Sequence, residues 1–262
     1  MKKLFVTAAA SVALAAGAVS AQEGASISEK AHAWYNPYWT SSNVHVIHGK
    51  VYEDAKDDTQ QIFSFEHASG YKWGDLFMFF DHINRDKADN DFYMEIHPRL
   101  SLSYLTGTDL SFGPVKDVLI ATEYNRNDDS GPYEKCEAYL YGIGFSLDAK
   151  GFDYMNLNVY ARDDQNDMLA DGVTTQVSFD WRYPFSIGKT DWYCSGFFDW
   201  AGKEGDKIEN FLIETRVMTD IGKFFGKEKA FYTGIEYKNW NNKYGVDEWD
   251  EEVVSVNVMF EF

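Results

Sequence analysis

The chain has 262 residues, and its 42 Asp and Glu residues outnumber its 24 Lys and Arg residues, which gives a formal charge of -18. A negative surplus on this scale argues against nucleic acid as a partner, because the phosphate backbone would be repelled. Aromatic residues make up 17% of the chain, although the mean hydropathy is -0.42. That mixture suits a β-barrel with one wet and one apolar side, and it also suits an aromatic-rich soluble β-sandwich.

The N-terminus has the pattern of an export signal. Met1-Lys2-Lys3 is a basic start, an Ala-rich apolar run follows, and Val19-Ser20-Ala21 has the small residues of a cleavage site. We therefore expect 1–21 to be a secretory signal peptide and 22–42 to be a periplasmic lead-in. The alternative is a retained membrane anchor, although the apolar run is short for a membrane span.

The rest of the sequence, 43–262, is a series of short strand-like runs separated by turn residues or acidic loops. None of these runs approaches the roughly 18 consecutive apolar residues of a transmembrane helix. We expect about twelve antiparallel strands that close into a monomeric transmembrane β-barrel, since bacterial single-chain barrels have an even strand number. The predicted strands are 43–51, 61–69, 74–83, 91–105, 115–126, 134–147, 153–163, 172–183, 191–200, 208–218, 230–240 and 251–262.

The connections between these strands alternate in character. With the N-terminus in the periplasm, connections after even-numbered strands are periplasmic turns and those after odd-numbered strands are extracellular loops. Acidic clusters such as 53–58 and 247–252 fall in the loops, where we expect solvated side chains. The alternative is divalent-cation binding, directly or by bridging to lipopolysaccharide phosphates. No segment has a fixed ligand spacing, so the sequence predicts no metal site and no cofactor.

The last strand shows the alternation of faces most clearly. One face carries Val254, Val256, Val258, Phe260 and Phe262, and the other carries Ser255, Asn257, Met259 and Glu261. Hydrocarbon can cover the apolar face while neighbouring strands satisfy the backbone, as in an outer-membrane barrel. A terminal Phe262 after alternating apolar residues also resembles the signal that the barrel assembly machinery recognises, which predicts that machinery as a partner. A soluble edge strand is the alternative.

The same alternation assigns faces in the other strands. In the fourth strand Phe92 and Met94 face lipid, whereas Tyr93 and Glu95 face the lumen. A slip of one residue would place many charges in lipid, at about 2–4 kcal/mol for each Arg or Lys near the midplane. The third strand is apolar on both faces, so the alternation leaves two possibilities. Either Phe77 and Phe79 or Met78 and Phe80 point inward.

Two cysteines, Cys136 and Cys194, enter an oxidising compartment if the chain is exported. The predicted topology places them near opposite rims of the barrel. Because a disulfide requires Cα atoms within about 7 Å, we expect both cysteines to be unpaired.

A family resemblance rests on the fourth strand and the turn after it. The run 92–102 contains Pro98-Arg99-Leu100-Ser101, and 106–114 reads TGTDLSFGP. These runs, the adjoining strand 115–124 and the Asn-x-Asn-Val-Tyr strand at 156–160 are similar to the Tsx nucleoside-channel family. They are at least as similar to its OmpK branch, outer-membrane proteins of marine bacteria known as phage receptors. The resemblance implies a twelve-stranded monomeric barrel in the outer membrane, with a narrow pore that passes nucleosides.

The predicted lumen carries a belt of charges and several aromatic rings. The candidate pore-lining residues are Tyr93, Glu95, Arg99, Glu123, Tyr160, Arg162, Asp180, Arg182, Tyr193, Phe197, Glu214, Arg216, Glu236 and Lys238. One interpretation is a packed, salt-bridged interior that only holds the barrel open. The other is a pore in which aromatic faces stack a base while charged groups bond the sugar hydroxyls.

Catalysis has no support in the sequence. It contains no Gly-x-Ser-x-Gly, His-Glu-x-x-His, P-loop or Cys-x-x-Cys motif. We therefore expect a passive channel for nucleosides or similar small solutes and no enzyme. The alternative is a surface receptor of OmpK type, at which a phage or bacteriocin docks and little specific transport occurs.

Overall fold

The computed structural model describes residues 34–53, 56–87, 89–128, 137–165, 169–170 and 172–262. Within them, twelve antiparallel strands form a closed barrel in which each strand pairs with its neighbours in sequence and β1 pairs with β12. The strands are β1 Trp39–Glu53, β2 Lys56–Tyr71, β3 Gly74–Arg85, β4 Asp91–Ser101, β5 Val115–Asn127, β6 Glu137–Leu147, β7 Tyr154–Asp164, β8 Thr174–Ile187, β9 Thr190–Ala201, β10 Asn210–Asp220, β11 Phe231–Asn241 and β12 Glu251–Glu261. The predicted barrel of about twelve strands is confirmed.

Closure of the barrel depends on the pairing of its first and last strands. Their register runs from Asn43 opposite Glu261 to Glu53 opposite Glu251. In β12 the outward Val256 is 58% exposed, whereas the inward Ser255 and Asn257 are 2% and 0% exposed. The apolar side of β12 therefore lies outside the barrel, as the alternation predicts.

Outward-facing phenylalanines form rows across neighbouring strands. Phe80 of β3 stacks between Phe65 and Phe92, with ring centroids 6.3 Å apart in both pairs. Since Phe80 lies outside, the alternate residues of β3 face the lumen. Phe77 and Phe79 are therefore the inward pair, which settles the alternative that the sequence leaves open.

The fourth strand ends earlier than predicted. The expected strand 91–105 stops at Ser101, and Leu102–Thr106 forms a short helix, α1. The Ser101 side chain accepts a hydrogen bond from the N–H of Tyr104, and Gly107 ends the helix at φ 67°. The serine cap begins one helical turn and the left-handed glycine ends it. These local capping interactions determine the structure here, although the apolar alternation predicts a strand.

The other boundaries differ by a few residues. The first strand begins at Trp39, so the end of the predicted lead-in 22–42 belongs to the barrel. The expected signal peptide 1–21 lies outside the described residues. Two 3-10 helices, Gly222–Phe225 and Lys243–Gly245, occupy the connections after β10 and β11.

The barrel has two rims. We call the rim formed by the connections after odd-numbered strands the loop rim and the opposite one the terminal rim.

Cys194 of β9 is a free cysteine, as predicted, whereas Cys136 lies outside the described residues. Among the residues that the structure describes, none of the helices has the length and apolar character of a membrane span.

Candidate functional site

The inward side chains near the loop rim enclose a cavity of about 60 Å³. Three of the predicted residues, Tyr93, Glu95 and Arg162, contribute to its lining. The hydroxyl of Tyr93 donates to Glu95 at 2.5 Å, and Arg162 donates to Gln176 at 2.7 Å. The cavity is well below the roughly 300 Å³ at which pockets for drug-sized ligands begin. A solute of that size therefore requires these side chains to move.

The connection between β9 and β10 contributes to the mouth of this cavity. Glu204 and Lys207 line the cavity together with Asp164 of β7. The Lys207 ammonium lies 2.5 Å from Asp164, and the N–H of Asp164 donates to Glu204 at 3.3 Å. Burial raises the pKa of the Glu204 carboxyl. The mouth is thus narrowed by a mixed-charge cluster.

A histidine lies between two carboxylates deeper in the lumen. The Nε2 of His97 is 2.7 Å from Glu95, and its Nδ1 is 3.4 Å from Glu123. Both carboxylates are among the predicted pore-lining residues. His97 is not, although it has the same parity on β4 as Glu95.

Arg99 is held by a network that joins β3, β4 and β7. Its guanidinium donates to both carboxylate oxygens of Asp75 at 2.7 Å and to Asn156 at 3.0 Å. Asn156 in turn donates to Asp180 at 2.8 Å. The bidentate ion pair with Asp75 fixes the plane of the Arg99 guanidinium. The predicted residues Arg99 and Asp180 are therefore both held in the lumen by this network.

Arg216 is surrounded by three carboxylates from three strands. It lies 2.9 Å from Glu214 and 2.6 Å from Glu236, and it also forms an ion pair with Glu66 of β2. Glu66 in addition lies 3.4 Å from His45. This cluster spans the lumen from β10 to β2, so it stabilises the barrel across its interior as well as along the wall.

Glu251 forms the opposite arrangement, one carboxylate among cations. Lys238 and Lys243 both lie 2.7 Å from it, and Arg85 lies 3.0 Å away. The residue is 0% exposed. The predicted residue Lys238 is therefore held by Glu251, and Lys243 also lies 5.1 Å from the centre of the Trp249 ring.

The four aromatic candidates have different environments. Tyr193 is 5% exposed, and the guanidinium of Arg182 lies 4.0 Å from its ring centre. Tyr160 is 2% exposed and belongs to an apolar cluster with alanine and leucine. Phe197 of β9 is paired with Asp180 of β8 on one side and with Glu214 of β10 on the other. Tyr93 lines the open cavity, so it has the aromatic face most accessible to a solute.

Sequence reasoning missed several partners of the predicted residues. The missed lumen residues are Glu66, Asp75, Asp199 and Glu251. Strand parity is the signal that identifies them, since Asp199, for example, lies two residues from Phe197 on the same face of β9. The pairings across the lumen have no comparable signal in the sequence.

A closed barrel with an apolar outside and a charged interior defines an outer-membrane β-barrel channel. Residues 34–259 match the model of a family described as nucleoside-specific channel-forming protein, Tsx. The chain belongs to this family, which confirms the resemblance and the outer-membrane location.

Two curated relatives and one solved structure are similar to the chain. A nucleoside-specific channel-forming protein Tsx of Klebsiella aerogenes is 29% identical over 231 residues, which cover 80% of this chain and 76% of that protein. Outer membrane protein OmpK of Vibrio parahaemolyticus is 26% identical over 68% of this chain and 65% of that protein. The NanC porin structure has 11% identity and a TM-score of 0.49, covering 83% of this chain and 98% of that chain.

Proposed function

We propose that the barrel passes nucleosides by passive diffusion through its lumen and performs no enzymatic reaction. Family membership carries this proposal, because the relatives from Klebsiella aerogenes and Escherichia coli O157:H7 are both named as nucleoside-specific channels. The mixed charges and aromatic rings of the lumen supply the groups that a nucleoside needs. Charges of both signs suit a neutral, polar solute better than a salt ion of one sign.

The chemistry of passage follows from the cavity at the loop rim. The Tyr93 ring offers a stacking face for a base, and the carboxylates of Glu95 and Asp199 accept hydrogen bonds from ribose hydroxyls. Stacking on one ring contributes about 1–3 kcal/mol. Such weak binding suits a channel, since the solute must leave again on the other side.

Entry of a nucleoside requires the cavity lining to rearrange, because the present cavity has a volume of about 60 Å³. The Tyr93 hydroxyl, which donates to Glu95 at 2.5 Å, has to leave this carboxylate before a solute can bind it. A ribose hydroxyl can replace it as the donor to Glu95. That exchange frees the ring to stack on the base without leaving the carboxylate unpaired.

Two further partners belong to the same proposal. We infer that the barrel assembly machinery recognises the C-terminal Phe262, which is 63% exposed and stacks on Phe260 at 5.8 Å. Lipopolysaccharide surrounds the acidic loops in the outer leaflet. Docking of a phage or bacteriocin at those loops remains the alternative function, and the family match favours the channel.

Uptake into proteoliposomes tests the channel. We expect labelled adenosine to enter faster than a sugar of similar mass, and Tyr93→Leu to reduce this preference about tenfold, since stacking contributes about 1–3 kcal/mol. The matched control is Tyr139→Leu, because Tyr139 is 42% exposed on the outer wall. Equal uptake of adenosine and sugar by the wild-type barrel would contradict nucleoside selectivity.

A further inference from the structure

The histidine between two carboxylates has the composition of a metal site. Ligand atoms of Glu95, His97 and Glu123 all lie within 4.8 Å of one another. Nothing in the proposed passage of nucleosides uses His97. Its ring lies inside the lumen, where the side chain is 20% exposed.

The two carboxylates share the positive charge near them with other acidic groups, since Arg162 acts on Glu123 but also forms an ion pair with Asp164 at 3.4 Å. Within the described part of the chain, their salt bridges both go to His97, and the side chains of Glu95 and Glu123 are only 14% and 3% exposed. The guanidinium of Arg99, two residues along β4, is held by Asp75. Asp199 adds another carboxylate to the lining that contains Glu95. Such a surplus of negative charge away from bulk water favours a bound cation.

A second observation at this site also points to a ligand. Asn125 lies directly opposite Glu95 in the pairing of β4 with β5, and it is 3% exposed. It follows Glu123 by two residues on the same buried, inward face of β5. Among the residues that the structure describes, no group hydrogen-bonds its buried Oδ1. A neutral oxygen left unpaired beside two carboxylates is satisfied by a cation or by a water molecule on that cation.

We propose that Glu95, His97 and Glu123 bind a divalent transition-metal ion inside the lumen, with Zn²⁺ as the representative ion. One imidazole nitrogen and two carboxylate oxygens suit Zn²⁺, whereas Ca²⁺ and Mg²⁺ prefer sites built from oxygen alone. Zn²⁺ bonds of about 2.0–2.2 Å place tetrahedral ligand atoms about 3.4 Å apart. The two carboxylates contact different ring nitrogens of His97, so one of them has to move toward the nitrogen that binds the ion. The proton that His97 shares with the carboxylates is released to solvent on binding.

Calorimetry on the detergent-purified, EDTA-treated barrel tests this site. We expect one Zn²⁺ to bind per barrel with micromolar affinity, and His97→Gln and Glu123→Gln each to weaken it at least tenfold. The matched control is His45→Gln. His45 is also a lumen histidine, but among the described residues its salt-bridge partner is the single carboxylate of Glu66, at 3.4 Å, so affinity should stay unchanged.

Three results would overturn the site. The first is the absence of Zn²⁺ binding by the wild-type barrel. The others are equal binding by His97→Gln and equal competition by Mg²⁺, either of which would indicate diffuse binding to acidic loops. X-ray absorption on wild-type protein with Zn²⁺ provides a readout that needs no variant, and it should show nitrogen and oxygen ligands without sulfur. Binding is measured without nucleoside, so its failure leaves the transport proposal intact, and failed adenosine uptake leaves the metal site intact.

Discussion

Replacing Arg216 with alanine is expected to lower the free energy of unfolding by about 3 kcal/mol and to make the pore more cation-selective. The guanidinium is the shared partner of Glu66, Glu214 and Glu236, whose side chains are 16%, 16% and 6% exposed. Without it, three carboxylates face one another in a region with little water. Their mutual repulsion destabilises the barrel, and their charge attracts cations into the lumen.

Urea unfolding in detergent micelles and reversal potentials in a salt gradient measure the two effects of Arg216→Ala. The control is Arg126→Ala. The Arg126 side chain is 54% exposed and its ion pair with Glu137 is 3.5 Å long, so the loss should stay within about 1 kcal/mol. An unchanged permeability ratio for Arg216→Ala would show that the guanidinium does not control the ion path.

Replacing Glu251 with glutamine is expected to shift the ion selectivity in the opposite direction. This carboxylate is 0% exposed and neutralises Arg85, Lys238 and Lys243 at 2.7–3.0 Å. Glutamine keeps the shape but leaves three cations without their counter-charge. We expect the pore to become more anion-selective and the barrel to lose about 3 kcal/mol of stability, because breaking a buried ion cluster leaves uncompensated charge.

The neighbouring residue supplies a matched control for Glu251→Gln. Glu252 follows it on β12 but is exposed on the other face of the strand, so Glu252→Gln should change neither selectivity nor stability appreciably. The same reversal-potential measurement compares both variants. A shift of equal size in both would assign the effect to overall net charge rather than to the lumen cluster.

Strand alternation made the barrel predictable from sequence. From Val254 onward one face of β12 is apolar and the other carries polar residues and Met259, so its register had one solution once lipid was assumed to cover the apolar face. The two faces of the third strand do not differ in this way. The stacking of Phe80 on Phe65 and Phe92 shows which of its faces points outward. The helix after Ser101 was missed because Leu102 continues the strand alternation, although the serine cap and Gly107 were visible signals.

The candidate site was predictable only in part. Parity correctly placed Arg216 and Glu214 on one face of β10, but it gave no means of pairing Arg216 with Glu66, which lies 150 residues away in sequence. Such contacts cross the lumen and depend on barrel diameter and strand tilt, which no local pattern encodes. Parity also does not predict whether an inward side chain is buried or reaches the cavity. Tyr160 and Tyr93 both face inward, but only Tyr93 lines the cavity.

Single-channel recording in a planar bilayer tests the central claim, that nucleosides pass through the lumen of this barrel. The purified protein should insert in discrete conductance steps, and adenosine added to one side should reduce the current reversibly in proportion to its occupancy of the lumen. A sugar of similar mass should leave the current unchanged. Insertion without conductance, or a current that adenosine does not alter, would contradict the claim.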